Sequence, residues 1–218
     1  VITSSSGEYI PAMVTMMNSI LQHSSKHVTF HAIIARGDTD VVLRYLSFLF
    51  GQSLSQEAFP AVELVEFNSE EVEHVTSKKG DARLQNALNY ARIYLPELFP
   101  HLDTVVYVDP DTLAMGDIAG LPEHLHEHAP HFFAAAPPAA RRRALRTFHR
   151  MVDCFDAAVA RAVPDCTAEP FNAGVFVTHL AGWRARALTA AMLHWLERNA
   201  LHGLWRLGSQ PPMALALQ

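Results

Sequence analysis

Thr104-Val105-Val106-Tyr107-Val108-Asp109-Pro110-Asp111 is the stretch on which the fold turns. Val105 to Val108 run without a polar break, the pattern of a strand buried on both faces. The run ends abruptly in two carboxylates flanking a proline. In an extended segment residues i and i+2 point the same way, so Asp109 and Asp111 are expected to converge from the end of this strand.

Upstream, residues 81–95 read as a helix whose end is punctuated by Pro96 and Pro100. Residues 61–67 and 28–35 are β-rich runs. Gly37-Asp38-Thr39-Asp40 caps a helix that continues to about Phe50, and Asn68-Ser69-Glu70-Glu71 caps a short one. Ile10, Met13, Val14, Met17, Ile20 and Leu21 repeat at helical spacing, and Pro11 stands where a first turn tolerates proline. The chain opens in a short strand that stops at the turn Ser4-Ser5-Ser6-Gly7. That opening, already inside a strand, reads as a trimmed start. Downstream, residues 132–136 and 173–180 read as strands, and 147–163 and 183–201 as helices. Alternating strands and helices predict a single α/β domain over 1–218 with an open, mostly parallel, twisted sheet. Ligands of such sheets bind beyond the carboxyl ends of strands. The serine turn and Asp109-Pro110-Asp111 both lie there.

The chain has 218 residues, half of them hydrophobic, and a formal net charge of −5. That composition supports a real core and argues against disorder. The acidic balance disfavours nucleic acid as a partner, and no apolar run reaches the roughly 18 residues of a membrane span. Two cysteines, Cys154 and Cys166, rule out a disulfide scaffold. They could pair in an oxidising compartment or be two free thiols.

Like charges as close as Asp109 and Asp111 raise each other's pKa unless a cation lies between them. Hard oxygen ligands suit Mg²⁺ or Mn²⁺, which also grip diphosphates. A polar turn that merely ends a strand is the competing reading of this short motif.

Three further stretches accompany it in order. They are Leu88-Asn89-Tyr90-Ala91-Arg92, Phe171-Asn172-Ala173-Gly174-Val175 with Trp183-Arg184 following, and Leu207-Gly208-Ser209-Gln210-Pro211-Pro212. Together with Asp109 and Asp111 they resemble the family 8 glycosyltransferases of the GT-A fold, and most of all their plant-type, galacturonosyltransferase-like branch. The resemblance covers nearly the whole chain. It implies retaining transfer of a hexose or uronic acid from a UDP-sugar, with Mn²⁺ or Mg²⁺, to a glycan or other acceptor.

Carried over by residue, the resemblance makes Asp109 and Asp111 the metal ligands. Arg92 neutralises donor oxygens through its planar fork. Asn172, Ala173 and Gly174 line the donor-sugar pocket, where glycine allows close backbone approach. Ser4, Ser5, Ser6 and Tyr9 hold the uridine; relatives often carry an acidic residue near Ser6. Gln210 stands near the anomeric carbon. A neutral amide is a poor nucleophile, so donor positioning and oxocarbenium stabilisation are expected of it. The family's third metal ligand, a histidine in a C-terminal segment with Gly and Lys-Pro, has no counterpart before Gln218. The chain as given is therefore expected to bind metal weakly and to turn over poorly. A non-catalytic nucleotide-sugar or glycan binder is the rival reading. A nucleotidyltransferase is a weaker one, because Ser4-Ser5-Ser6-Gly7 is not a basic triphosphate loop.

Plant-type relatives tend to carry a cysteine just before the second signature and another upstream, which implies a Cys154–Cys166 disulfide. A Golgi lumen or other secretory compartment follows for a plant-type member, and the cytoplasm for a bacterial-type one. Other features have plainer readings. His124, His126, His128 and His131 read as a solvated loop between prolines, and Arg141, Arg142, Arg143 and Arg146 as a solvated face. The basic run is also a weaker candidate for an acidic acceptor. Met13, Met16 and Met17 read as core, and Trp183 and Trp195 as a helix's buried face.

Overall fold

The computed structural model describes residues 1–51, 61–68, 70–73, 86–127, 131–137 and 147–218. His128, Arg141, Arg142, Arg143, Arg146 and the 81–85 part of the expected helix lie outside the described residues.

Six strands form one sheet: β1 Ile2–Ser5, β2 Thr29–Ala35, β3 Ala61–Phe67, β4 Thr104–Val108, β5 Phe133–Ala136 and β6 Asn172–His179. Their order is β3-β2-β1-β4-β6-β5. β3, β2, β1 and β4 run parallel, while β6 is antiparallel to both β4 and β5. The open, mostly parallel sheet read from the sequence is therefore present. Ile33, Val105 and Tyr107 belong to one apolar cluster; Ala32, Ile34, Val106 and Val108 belong to the other. Successive side chains thus enter opposite cores, which is why these strands read as unbroken apolar runs.

The described helices are α1 Ile10–His23, α2 Thr39–Gly51, α3 Glu70–Glu73, α4 Leu95–Leu98, α5 Glu123–Glu127, α6 Phe148–Met151, α7 Ala157–Ala162, α8 Leu180–Ala185, α9 Leu188–His202 and α10 Gln210–Ala216. α1 buries Ile10, Met13, Val14, Met16, Met17 and Ile20 against the sheet, so its methionines are core. α2 adds Val42, Leu46 and Phe50 to the same layer. α9 and α10 pack together on the other face. Trp183 is buried there and donates Nε1–H to Thr189 Oγ1 at 3.1 Å; Trp195 is half-buried. None of the described helices is long and apolar enough to cross a membrane.

Several sequence expectations need correction. The described part of the 81–95 helix is two 3₁₀ turns, Ala87–Asn89 and Ala91–Tyr94, running into α4. Asn86 starts them by accepting from Leu88 N at 3.0 Å, and Leu88, Tyr90, Ala91, Arg92 and Ile93 are all buried. A segment buried almost all round answers to its packing rather than to α-periodicity. The 147–163 helix is α6 and α7, divided at Val152–Asp156, where Asp156 caps α7 by accepting from Ala158 N and Val159 N. The 183–201 helix is α8 and α9, broken by the left-handed backbone of Ala187 (φ 49°). His124 and His126 sit on α5 rather than in a loop. Ser4 and Ser5 end β1, so the turn begins only at Ser6.

This topology sets the location of the site. From β1 the chain moves outward through β2 to β3, then returns to place β4 on β1's other side. β1 and β4 flank the point where strand order reverses, and their carboxyl ends open there into a crevice.

Candidate active site

β4 is tied to β6 to its very end, where Asp109 N donates to Gly174 O at 2.7 Å. The chain then turns: Thr112 N donates to Asp109 O at 3.2 Å, which puts Pro110 and Asp111 at the corners of a four-residue turn. The two carboxylates therefore do not share a strand face, as the sequence had suggested. The turn, not strand alternation, directs both into one cleft at the β1–β4 switch point. Ser4, Ser5, Ser6, Tyr9, Asn86, Leu88, Asn89, Arg92 and Pro110 complete its lining.

Arg92 is committed to the fold. Nη2 donates to Asp109 Oδ1 at 2.7 Å, Nη1 to Ala173 O at 2.7 Å and Nε to Asn89 O at 3.3 Å. The guanidinium also lies 4.6 Å over the Tyr107 ring, within cation–π range. Burial opposes its charge, but Asp109, Tyr107 and Asp111 outweigh that and keep it protonated. Burial raises the Asp109 carboxyl above its ordinary value; Arg92 counters this and Asp111 adds to it. Burial likewise pushes the Tyr107 phenol up, and its oxygen shares a 2.7 Å hydrogen bond with Ser4 Oγ. The first strand, the fourth strand and the 3₁₀ turns are thus joined by one polar network.

Gly174 lets this network close. A Cβ there would stand 2.9 Å from Asp109 Oδ2 and 3.2 Å from Asn172 Oδ1. Asn172 Oδ1 instead accepts from Gly174 N at 2.9 Å and braces the start of β6. Around the serine turn, Asn86 Nδ2 donates to Ser6 Oγ at 2.7 Å, and Gly7 takes a positive φ. Gln210 opens α10, and its Nε2 donates to Phe171 O at 3.1 Å.

Ser4, Ser5, Ser6, Tyr9, Arg92, Asp109 and Asp111 meet in the cleft wall. Asn172, Ala173, Gly174 and Gln210 are not in that wall; Ala173 and Gly174 abut Asp109 and Arg92, and Gln210 is hydrogen-bonded to Phe171 O. Asn86, Leu88, Asn89 and Pro110 line the cleft without having been assigned a role from sequence. Leu88 and Asn89 sat inside a recognised motif; Asn86 carried no signal beyond its capping chemistry.

Among the described residues, no set of three metal-type ligands includes Asp109 or Asp111. The two sets that occur are His31 with Glu63 and His101, and His149 with Cys154 and Cys166. Neither borders the cleft, and the two cysteines are joined in a disulfide.

The comparisons with known proteins agree with this geometry. The family model described as "Glycosyl transferase family 8" matches residues 1–218. "Probable galacturonosyltransferase-like 6" of Arabidopsis thaliana is 29% identical over 225 residues, covering 95% of this chain and 58% of that protein. "Probable galacturonosyltransferase-like 7" from the same plant is also 29% identical, with 95% and 55% covered. The chain therefore spans a little over half the length of these curated relatives. Among solved structures, the galactosyltransferase LgtC in complex with donor and acceptor sugar analogues superposes with a TM-score of 0.71 at 15% identity, over 99% of this chain and 69% of its own. Mouse xyloside xylosyltransferase 1 superposes at 0.63 and 14%, over 98% and 79%. These structural likenesses show the fold, which is GT-A. The sheet order and cleft position accord with the family match over residues 1–218, and the chain belongs to glycosyl transferase family 8.

Proposed function

We propose that this chain transfers a hexosyl or uronosyl group from a UDP-sugar to a glycan acceptor, with retention of configuration and with Mn²⁺, or Mg²⁺ in its place. The observation that carries this reading is the convergence of Asp109, Asp111 and the serine end of β1 in one cleft at the switch point. The plant relatives' names, galacturonosyltransferase-like, favour a uronic acid as the transferred group.

The residues fit a divalent cation. Two carboxylates offer hard oxygens, Asp109 is partly desolvated, and the missing Cβ of Gly174 leaves room beside its Oδ2. A bound cation would neutralise charge developing on the diphosphate leaving group. Arg92 holds Oδ1 of Asp109 and so fixes the direction of Oδ2. Ser5 Oγ lies buried in the cleft wall with no hydrogen-bond partner among the described residues, an orphan that a polar ligand would satisfy. The Gln210 amide is oriented by Phe171 O, which can only accept, so its nitrogen faces Phe171 and Oε1 is left over. That oxygen suits positive charge developing on a sugar ring, without bonding covalently to it.

A binder without turnover is the second reading, favoured by the absence of a third ligand beside Asp109 and Asp111 among the described residues. The deciding experiment screens UDP-sugars for Mn²⁺-dependent thermal stabilisation, then follows UDP release with glycan acceptors. We expect one UDP-sugar to stabilise the protein only with Mn²⁺, and the Asp109→Ala/Asp111→Ala double variant to lose the effect. Calorimetry showing unchanged UDP binding in that variant would sink the site. Stabilisation without UDP release would favour the binder.

The Cys154–Cys166 disulfide supports a Golgi-lumen or other secretory setting. Equal free-thiol counts with and without reductant, in protein made in an oxidising compartment, would overturn it.

A further inference from the structure

Asn89 Oδ1 accepts two hydrogen bonds from Ser209, from the backbone N at 2.9 Å and from Oγ at 2.8 Å. A backbone N–H can only donate, so the atom facing it is the amide oxygen, and the orientation of the Asn89 amide is settled by chemistry. Nδ2 is then the other amide atom, and neither of its hydrogens has an acceptor among the described residues. Asn89 is half-buried in the wall of the cleft, beside Arg92, whose Nε donates to its carbonyl. Ser209 is buried, and Gly208 has no room for a Cβ because Asn89 Oδ1 occupies the place. The amide is therefore clamped between two elements, with two unused donors on a cleft-lining side chain.

We propose that Asn89 is a sugar-binding residue, whose Nδ2 hydrogens bind oxygens of the transferred glycosyl group of a nucleotide-sugar. Its neutral amide suits hydroxyl or ring oxygens; a diphosphate is better served by cations. Its latch leads directly to Gln210 and Phe171, whereas the serine turn is held separately by Asn86. Ser209 acts as a positioning residue for this amide. A donor whose rotamer is already fixed loses little entropy on binding, so its contribution to affinity is realised nearly in full. The proposal rests on the UDP-sugar reading above.

The test is a coupling measurement on the protein, by calorimetry with Mn²⁺, UDP, the preferred UDP-sugar and its monodeoxy analogues. With wild type, at least one deoxy analogue should bind about tenfold more weakly than the parent sugar nucleotide. With Asn89→Ala, parent and that analogue should bind equally, both about tenfold more weakly than the parent binds wild type, while UDP alone stays within about twofold. Asn89→Asp retains an oxygen for both Ser209 bonds but lacks the donors; it should show the same loss of deoxy discrimination if Asn89→Ala does not fold. A deoxy penalty that persists in these variants overturns the proposal, as does equal weakening of UDP and UDP-sugar by Asn89→Ala. Wild type that binds UDP but no UDP-sugar overturns it as well. Wild type that binds neither overturns the donor reading itself.

Discussion

Arg92 and Asp109 form a 2.7 Å ion pair in the cleft wall, and the same guanidinium reaches Ala173 O at 2.7 Å. One residue thereby fixes the carboxylate at the end of β4 against the start of β6. Arg92 thus positions Asp109.

Removing this cation should be costly. The side chains are 7% and 27% exposed, so Arg92→Ala leaves a partly buried carboxylate and two carbonyls without their donors. We expect a loss of about 3 kcal/mol in urea unfolding. Arg92→Lys keeps the charge but not the fork, and should lose about half as much. Equal stability of Arg92→Ala and wild type would contradict the network.

Gly174→Ala tests the cradle around Asp109 Oδ2. The new Cβ would crowd that oxygen at 2.9 Å, so the carboxylate must move. Mn²⁺ affinity, read by calorimetry, should fall about tenfold, with a stability loss of about 1 kcal/mol. Gly116→Ala, whose Cβ would meet nothing within 4 Å, serves as the unaffected control.

His31 links stability to pH. Burial lowers its pKa below 6.5, outweighing the 2.6 Å contact of Nδ1 with Glu63 Oε2; His101 stands nearby. Between the folded value and 6.5 the unfolded chain binds the extra proton, so stability falls as pH drops through that window. His31→Gln should flatten the dependence below about pH 6.5. Parallel stability–pH curves for the two proteins would refute this assignment.

Ala187 interrupts α8 and α9 with a left-handed backbone, at φ 49°. Ala187→Gly relieves that strain and should raise stability by about 1 kcal/mol, less the added freedom of the unfolded chain. Thermal melting reads the gain, and UDP-sugar affinity should not change.

Much of this architecture is legible in the residues themselves. The unbroken run into Asp109 marks β4 because a strand between two layers has no polar side. The α1 periodicity marks a helix because one face alone meets the sheet. Where a segment is buried on nearly every side, that signal vanishes, and residues 87–94 became 3₁₀ turns instead of the expected helix. Ala187 carries no such signal, since alanine is a strong helix former, yet its backbone is left-handed.

By itself, then, the sequence determined the strand–helix order, the cleft's carboxylates and serines, and the family. Each is a matter of residue type repeated at short range or of motifs in order. Tertiary structure decided what those side chains do. It turned Asp109 and Asp111 into one cleft, committed Arg92 to Asp109 and Ala173, and aimed the Asn89 amide. The Asn89–Ser209 bonds span 120 residues, and Arg92 reaches Ala173 across 81. Such contacts exist only once two packed layers bring distant segments together, because a hydrogen bond depends on angles and distances that spacing along the chain does not encode.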